Sequence, residues 1–109
     1  MRNDVIVRKL IAYADKIMGY CGEMDYERFS SDPMLVEACI FNLDQMGELA
    51  NRVDDAFADA HPEIPWRYIY GLRNRIVHDY EGVNLQLVWE IIRDDLPVLR
   101  DALDRILWE

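Results

Sequence analysis

The chain has 109 residues, close to the commonest size of a single domain, and is 51% hydrophobic with 3 Trp, 6 Tyr and 3 Phe, so it can bury a core and does not have the composition of a disordered segment. Its 21 Asp and Glu outweigh 12 Lys and Arg to give a net charge of −9. That balance argues against binding duplex DNA through the whole surface, because a basic face supplies such affinity. It leaves room for a small, local phosphate site.

The first periodic stretch runs from Val5 to Tyr20, where Ile6, Leu10, Tyr13, Ile17 and Tyr20 recur at steps of four and three, one stripe of a helix. The segment "GEMDYERFSSDP" breaks that pattern. Asp32 followed by Pro33 is a good helix start, since Asp caps and Pro fits the first turn. A second long helix is predicted through Leu35, Cys39, Asn42 or Leu43, Met46, Leu49 or Ala50, and Val53. "AHPEIPW" is the next break. A third helix starts at Pro65 and runs towards His78 with Ile69, Leu72 and Ile76 inward, and "DYEG" ends it at Gly82. Asn84 caps a last helix carrying Leu85, Val88, Trp89, Ile92, Leu96, Leu99, Leu103, Ile106 and Leu107, which Pro97 should bend or split. No strand alternation or internal repeat is present. The expected fold is all-α, an up-down four-helix bundle with a kinked last helix, forming one domain over residues 1–109.

No apolar run is long enough to cross a bilayer, and "MRNDVIVRKL" lacks the apolar region of a signal peptide, so a cytoplasmic location is expected. Cys21 and Cys39 form no CxxC and are read as free, buried or half-buried thiols in a reducing compartment. His61 and His78 complete no ligand spacing, so neither a metal nor another cofactor is expected. His61, beside Pro62, reads as a surface loop residue. The paired acids of "DAFADAH" and "IIRDDLP" read as solvated faces. Trp66, Tyr68 and Tyr70 read as core or interface, with one of them able to stack on a base.

The stretch "GLRNRIVHDY" stands out, because it gathers Arg73, Arg75 and His78 into an acidic chain, with Arg67 just upstream. On a helix each residue advances about 100°, so Asn74 and His78 share a face while Arg73 and His78 point about 140° apart. They converge only if the helix ends near His78. Taken alone, the pattern also fits a solvated helix end whose cations complement the dipole.

The run "RNRIVHDY" resembles the signature of HepT-like proteins, minimal members of the HEPN ribonuclease superfamily. The likeness extends to "MGELANRV", "PEIPWRYIYGLRNRIVHDY" and "VWEIIRDDLPVL", strongest from about Leu43 to Leu99. The resemblance implies a HEPN-like fold and the toxin of a type VII toxin–antitoxin system. Such a toxin is a metal-independent endoribonuclease partnered by an MntA-like nucleotidyltransferase antitoxin. It implies Arg73 and His78 as the catalytic pair, Asn74 as the supporting polar residue and Tyr80 as the site of AMPylation. It also implies a homodimer, which a single functional His suggests independently, since one imidazole cannot readily serve both sides of an in-line displacement. The dimer is expected to gather Arg67, Arg73 and Arg75 of both copies round the phosphate of an RNA substrate, mRNA or tRNA. No membrane or duplex-DNA partner is expected. Two readings from other classes remain: a non-catalytic helical dimer that binds a nucleotide or a nucleotidyltransferase, and a purely structural interaction protein.

Overall fold

The computed structural model describes residues 1–78 and 82–108. Helix α1 (Asn3–Cys21) carries the first stripe, with Ile6, Leu10 and Ile17 fully buried and Val7, Ile11, Ala14 and Cys21 widening it, while Tyr20 ends up exposed. Each fully buried aliphatic side chain is worth about 1.5–3 kcal/mol, so this face alone is enough to fix α1 in the core. Helix α3 (Pro33–Ala50) starts as the sequence predicts, with Asp32 Oδ1 accepting from the Leu35 N–H at 3.1 Å. It buries Cys39, Asn42, Leu43, Met46, Leu49 and Ala50. Buried Asn42 is satisfied within its own helix by donating to the Ala38 carbonyl at 2.7 Å. Helix α1 packs against α3 on one side and against the C-terminal helix on the other.

Two short helices that periodicity did not reveal lie between the longer ones, one inside the first break and one leading into the second. Helix α2 (Tyr26–Ser30) is capped by Asp25, and it delivers Phe29, fully buried, onto Trp89 with ring centroids 4.9 Å apart. Helix α4 (Asp55–Ala60) buries no residue completely. Five or six residues are too few for a 3.6-residue period to show.

Helix α5 (Trp66–Tyr70) and helix α6 (Leu72–Ile76) form one interrupted rod. Main-chain bonds from Gly71 to Arg67 (2.9 Å) and from Arg75 to Gly71 (3.2 Å) carry the helical spacing across the break. The rod ends earlier than predicted. Val77–His78 (β1) pairs antiparallel with Gly82–Val83 (β2), in the register Val77 to Val83 and His78 to Gly82. Gly82 is therefore a strand residue and not a helix stop. Its φ of 90° suits a residue without a Cβ. Apart from this pair, the described residues are all-α.

Asn84 caps the next helix as predicted, accepting from the Leu87 N–H at 3.1 Å. The interruption expected at Pro97 takes the form of a π turn. Helix α7 (Leu85–Glu90) runs into π-helical Ile91–Asp95, where the Leu96 N–H reaches back five residues to the Ile91 carbonyl, and α8 (Leu96–Leu107) follows. A proline offers no N–H to the carbonyl four residues before it, and a wider turn just upstream accommodates that loss. No helix among the described residues is long and apolar enough to cross a membrane.

Candidate active site

Arg73 and Asn74 are exposed on α6, at the end of the rod, and the chain leaves the helix after Ile76. The geometric objection to pairing Arg73 with His78 is thereby removed, because His78 is no longer a helical residue five places on. Of His78 the backbone is described, opposite Gly82, and the side chain is not; Tyr80 lies outside the described residues.

Helix α3 supplies the floor of this site at its Asp44–Gly47 turn. Gly47 is buried where α3 meets α5: a Cβ there would stand 3.1 Å from the Ile69 carbonyl oxygen and 3.3 Å from that of Tyr70. A Cβ at this place would press the two backbones a few tenths of an ångström apart, and a branched side chain further. One turn earlier on α3, Asp44 is half-buried, and its Oδ1 has no hydrogen-bond partner among the described residues. Burial pushes its carboxyl above the ordinary Asp range, the Arg73 guanidinium draws it partly back, and Glu48 pushes it up again. Asp44 thus faces Arg73 electrostatically across the α3–α6 contact. Sequence reasoning did not single it out. The available signal was an acid bordering the apolar stripe of a long helix, beside a buried glycine.

The three arginines do not share one face. Residues 73 and 75 leave a helix about 200° apart, and Arg75 lies over the Tyr68 ring at 4.8 Å. Tyr68 in turn donates its hydroxyl to Asp95 on the π turn. Burial first, then the hydrogen bond to Asp95, pushes the Tyr68 phenol up to about 12. Arg75 therefore belongs to a cluster that ties the rod to the C-terminal helices. Arg67 is exposed on α5, where it lines an open groove of about 930 Å³ with Asn51, Trp66 and Tyr70.

Of the three aromatics, Trp66 is held as well: its Nε1–H donates to the His61 carbonyl at 3.1 Å, and its ring packs near Phe57. Tyr70 is 56% exposed and is the one able to stack on a base. His61 is not the surface loop residue expected. Its side chain is 17% exposed, packed on Phe57 at 4.6 Å, with Nδ1 3.5 Å from Glu63. Among the described residues, no three His, Cys, Asp or Glu side chains converge as a metal site.

A family profile described as Ribonuclease HepT-like matches residues 10–106. A candidate RNase of Caldanaerobacter subterraneus subsp. tengcongensis is 33% identical over 84 residues, spanning 77% of this chain and 75% of its own length. A protein named Probable ribonuclease HepT, from Thermococcus cleftensis, is 31% identical over 84 residues, covering 77% of this chain and 76% of the relative. A candidate RNase of Methanocaldococcus jannaschii is 27% identical over 95 residues, 87% of each chain. No solved structure gives a significant match. The matched span takes in α3, the α5–α6 rod with its exposed Arg73, and the strand pair that follows, and on this agreement of profile and relatives the chain belongs to the HepT-like ribonucleases of the HEPN superfamily.

Proposed function

We propose that the protein is an endoribonuclease that cuts RNA without a metal, using Arg73 and His78. The observation that carries this reading is the exposed Arg73 at the end of the α5–α6 rod, faced by the Asp44 carboxylate, with His78 just past the helix end. The 2′-hydroxyl of the substrate ribose loses a proton as it attacks the adjacent phosphorus. The bond from phosphorus to the 5′ oxygen breaks, and that oxygen takes up a proton. Imidazole titrates near neutral pH and can serve at either end. The Arg73 fork meets the phosphate oxygens as charge builds on them. Cleavage of single-stranded RNA in EDTA, leaving 2′,3′-cyclic phosphate and 5′-hydroxyl ends, is the expected result. Loss of cleavage on chelation, restored by a divalent ion, would sink the mechanism. No cutting at all by folded, unmodified protein would favour a helical dimer that only binds.

Two copies of His78 supply the acid and the base together, which calls for a two-fold dimer. Support comes from α3, where Met34 (81% exposed) and Phe41 (60% exposed) lie seven residues apart on one stripe, and Glu48 continues it alongside Asp44. Phe41→Glu is expected to give monomers by light scattering and to lower cleavage at least tenfold in step with dissociation, since charging an apolar contact at its centre leaves the charge unpaired. A dimeric, fully active Phe41→Glu would place the interface elsewhere.

In the same reading the protein is the toxin of a type VII pair, silenced when a nucleotidyltransferase attaches AMP to Tyr80. The added phosphate repels RNA and competes for Arg73. Co-expression with the transferase is expected to add AMP mass that Tyr80→Phe abolishes; AMP mapped to another residue would refute that assignment.

Asp44 acts by positioning Arg73. Because its folded carboxyl titrates above the ordinary range, the folded chain holds a proton that the unfolded chain has released. Stability therefore falls as pH rises from the ordinary Asp value through the raised one, and the loss is fully present above it. Asp44→Asn removes that penalty. At pH 7 it should melt above wild type, and the gap should close as the pH falls below the ordinary Asp value. Cleavage by the variant should drop about tenfold, the equivalent of ~1.4 kcal/mol of lost alignment. A variant that melts lower at pH 7 would show that Asp44 stabilises the fold instead.

A further inference from the structure

Cys21 is the last residue of α1, and Cys39 lies in the second turn of α3. Their Sγ atoms stand 3.7 Å apart, unbonded, with Cys39 fully buried and Cys21 2% exposed. The chain turns immediately after Cys21, at Gly22 with φ 51°, so the backbone there can yield to a small movement of the sulfur. Cys21 also forms part of the wall of a cavity of about 240 Å³ lined by Met18, Gly22, Ile92, Arg93 and Pro97. A water occupies about 30 Å³, so a molecule of peroxide size fits this space. Cys39 does not line that cavity and has no exposure of its own.

The surroundings divide the labour between the thiols. The contact with Cys39 Sγ lowers the Cys21 thiol, burial works against that, and the Arg93 guanidinium lowers it further. The same contact and burial push Cys39 up, so of the two thiols Cys21 is the more readily ionised, and it is also the one that lines the cavity. Thiolate character and access are what make a cysteine oxidisable.

We propose that Cys21 and Cys39 are a peroxide-reactive dithiol whose oxidation staples α1 to α3. The Cys21 thiolate attacks one peroxide oxygen, the O–O bond breaks, and hydroxide leaves as water after taking a proton from solvent. Cys21 becomes a sulfenic acid, having lost two electrons to the peroxide. Cys39 Sγ then attacks the Cys21 sulfur. The S–O bond breaks, the Cys39 proton leaves with the oxygen as a second water, and the S–S bond forms. A dithiol reductant reverses the change. The new bond closes the loop through α2, and a loop of this length raises the melting temperature by about 10 °C.

The test treats the purified, reduced full chain with hydrogen peroxide under native conditions, then alkylates free thiols in denaturant and maps peptides without reduction. Wild type should lose both alkylatable thiols to a Cys21–Cys39 crosslink within one chain and melt about 10 °C higher, reversibly with dithiothreitol. Cys39→Ser should stop at a Cys21 sulfenic acid trapped by dimedone, and Cys21→Ser should stay unmodified. Two free thiols persisting in folded wild type, a crosslink only between chains, or an unchanged melting temperature would each overturn the proposal. Should the serine variants fail to fold, the wild-type peptide map and melt decide it alone.

Discussion

Arg73→Ala is expected to lower RNA cleavage about 10²–10³-fold and His78→Ala about 10²–10⁴-fold, with Arg73→Ala melting like wild type. The first figure is the usual cost of removing one preorganised donor to a developing oxyanion; the second is the usual worth of a general acid–base. Stability should hold for Arg73→Ala because its side chain is exposed on α6, and exposed substitutions away from special features stay within about 0.5 kcal/mol. Among the described residues, Asp44 loses the guanidinium that draws its carboxyl down, and it should titrate still higher without it. Arg73→Lys separates charge from shape. An ammonium keeps the positive charge but not the planar two-point fork, so a large loss in that variant assigns the effect to bidentate contact with phosphate. The measurement is single-turnover cleavage of a labelled single-stranded RNA in EDTA beside thermal melts. Wild-type rates from both alanine variants would mean that the cutting comes from another site or from a contaminant.

The long helices were legible because each has at least three turns over which an apolar stripe repeats. Ile6, Leu10 and Ile17 on α1 and Cys39, Leu43 and Met46 on α3 lie buried as their spacing predicts. Caps were legible at Asp32 and Asn84, where a side-chain oxygen and an orphan N–H are set by local sequence. Strand β1 was not, because two residues carry no period and the pairing of Val77 with Val83 joins residues six apart in the chain. Of the candidate site, Arg73, Asn74 and His78 were visible as a cluster of unusual residues. Asp44 was hidden among 21 acids, since its distinction is the neighbour across the α3–α6 contact and not its own surroundings in the chain. Likewise, the parting of Arg75 from Arg73 needed Tyr68 and Asp95, which come from elements 27 residues apart.

Gly47→Val is expected to lower cleavage about 10²-fold while the chain still folds at 25 °C, melting about 5–20 °C below wild type. Gly47 holds α3 against α5, and the carbonyl oxygens of Ile69 and Tyr70 leave no room for a branched side chain. Both obstacles are backbone, so no rotamer change makes way and the rod itself must move. Arg73 is three residues beyond Tyr70 on that rod and moves with it, away from Asp44. A misplacement of about 1 Å at a reacting group costs on the order of 10²-fold, and overpacking of this kind costs about 1–3 kcal/mol. Gly47→Ala is the control, since its Cβ needs a retreat of only a few tenths of an ångström from atoms at 3.1 and 3.3 Å. It also gains about 1 kcal/mol of helix propensity, which offsets that push. The alanine variant should therefore melt near wild type and cut within a few-fold of it. Melts and single-turnover rates on the two variants check the argument. A valine variant that melts and cuts like wild type would show that the rod does not depend on this contact, and that Arg73 is held in place by β1 and β2 instead.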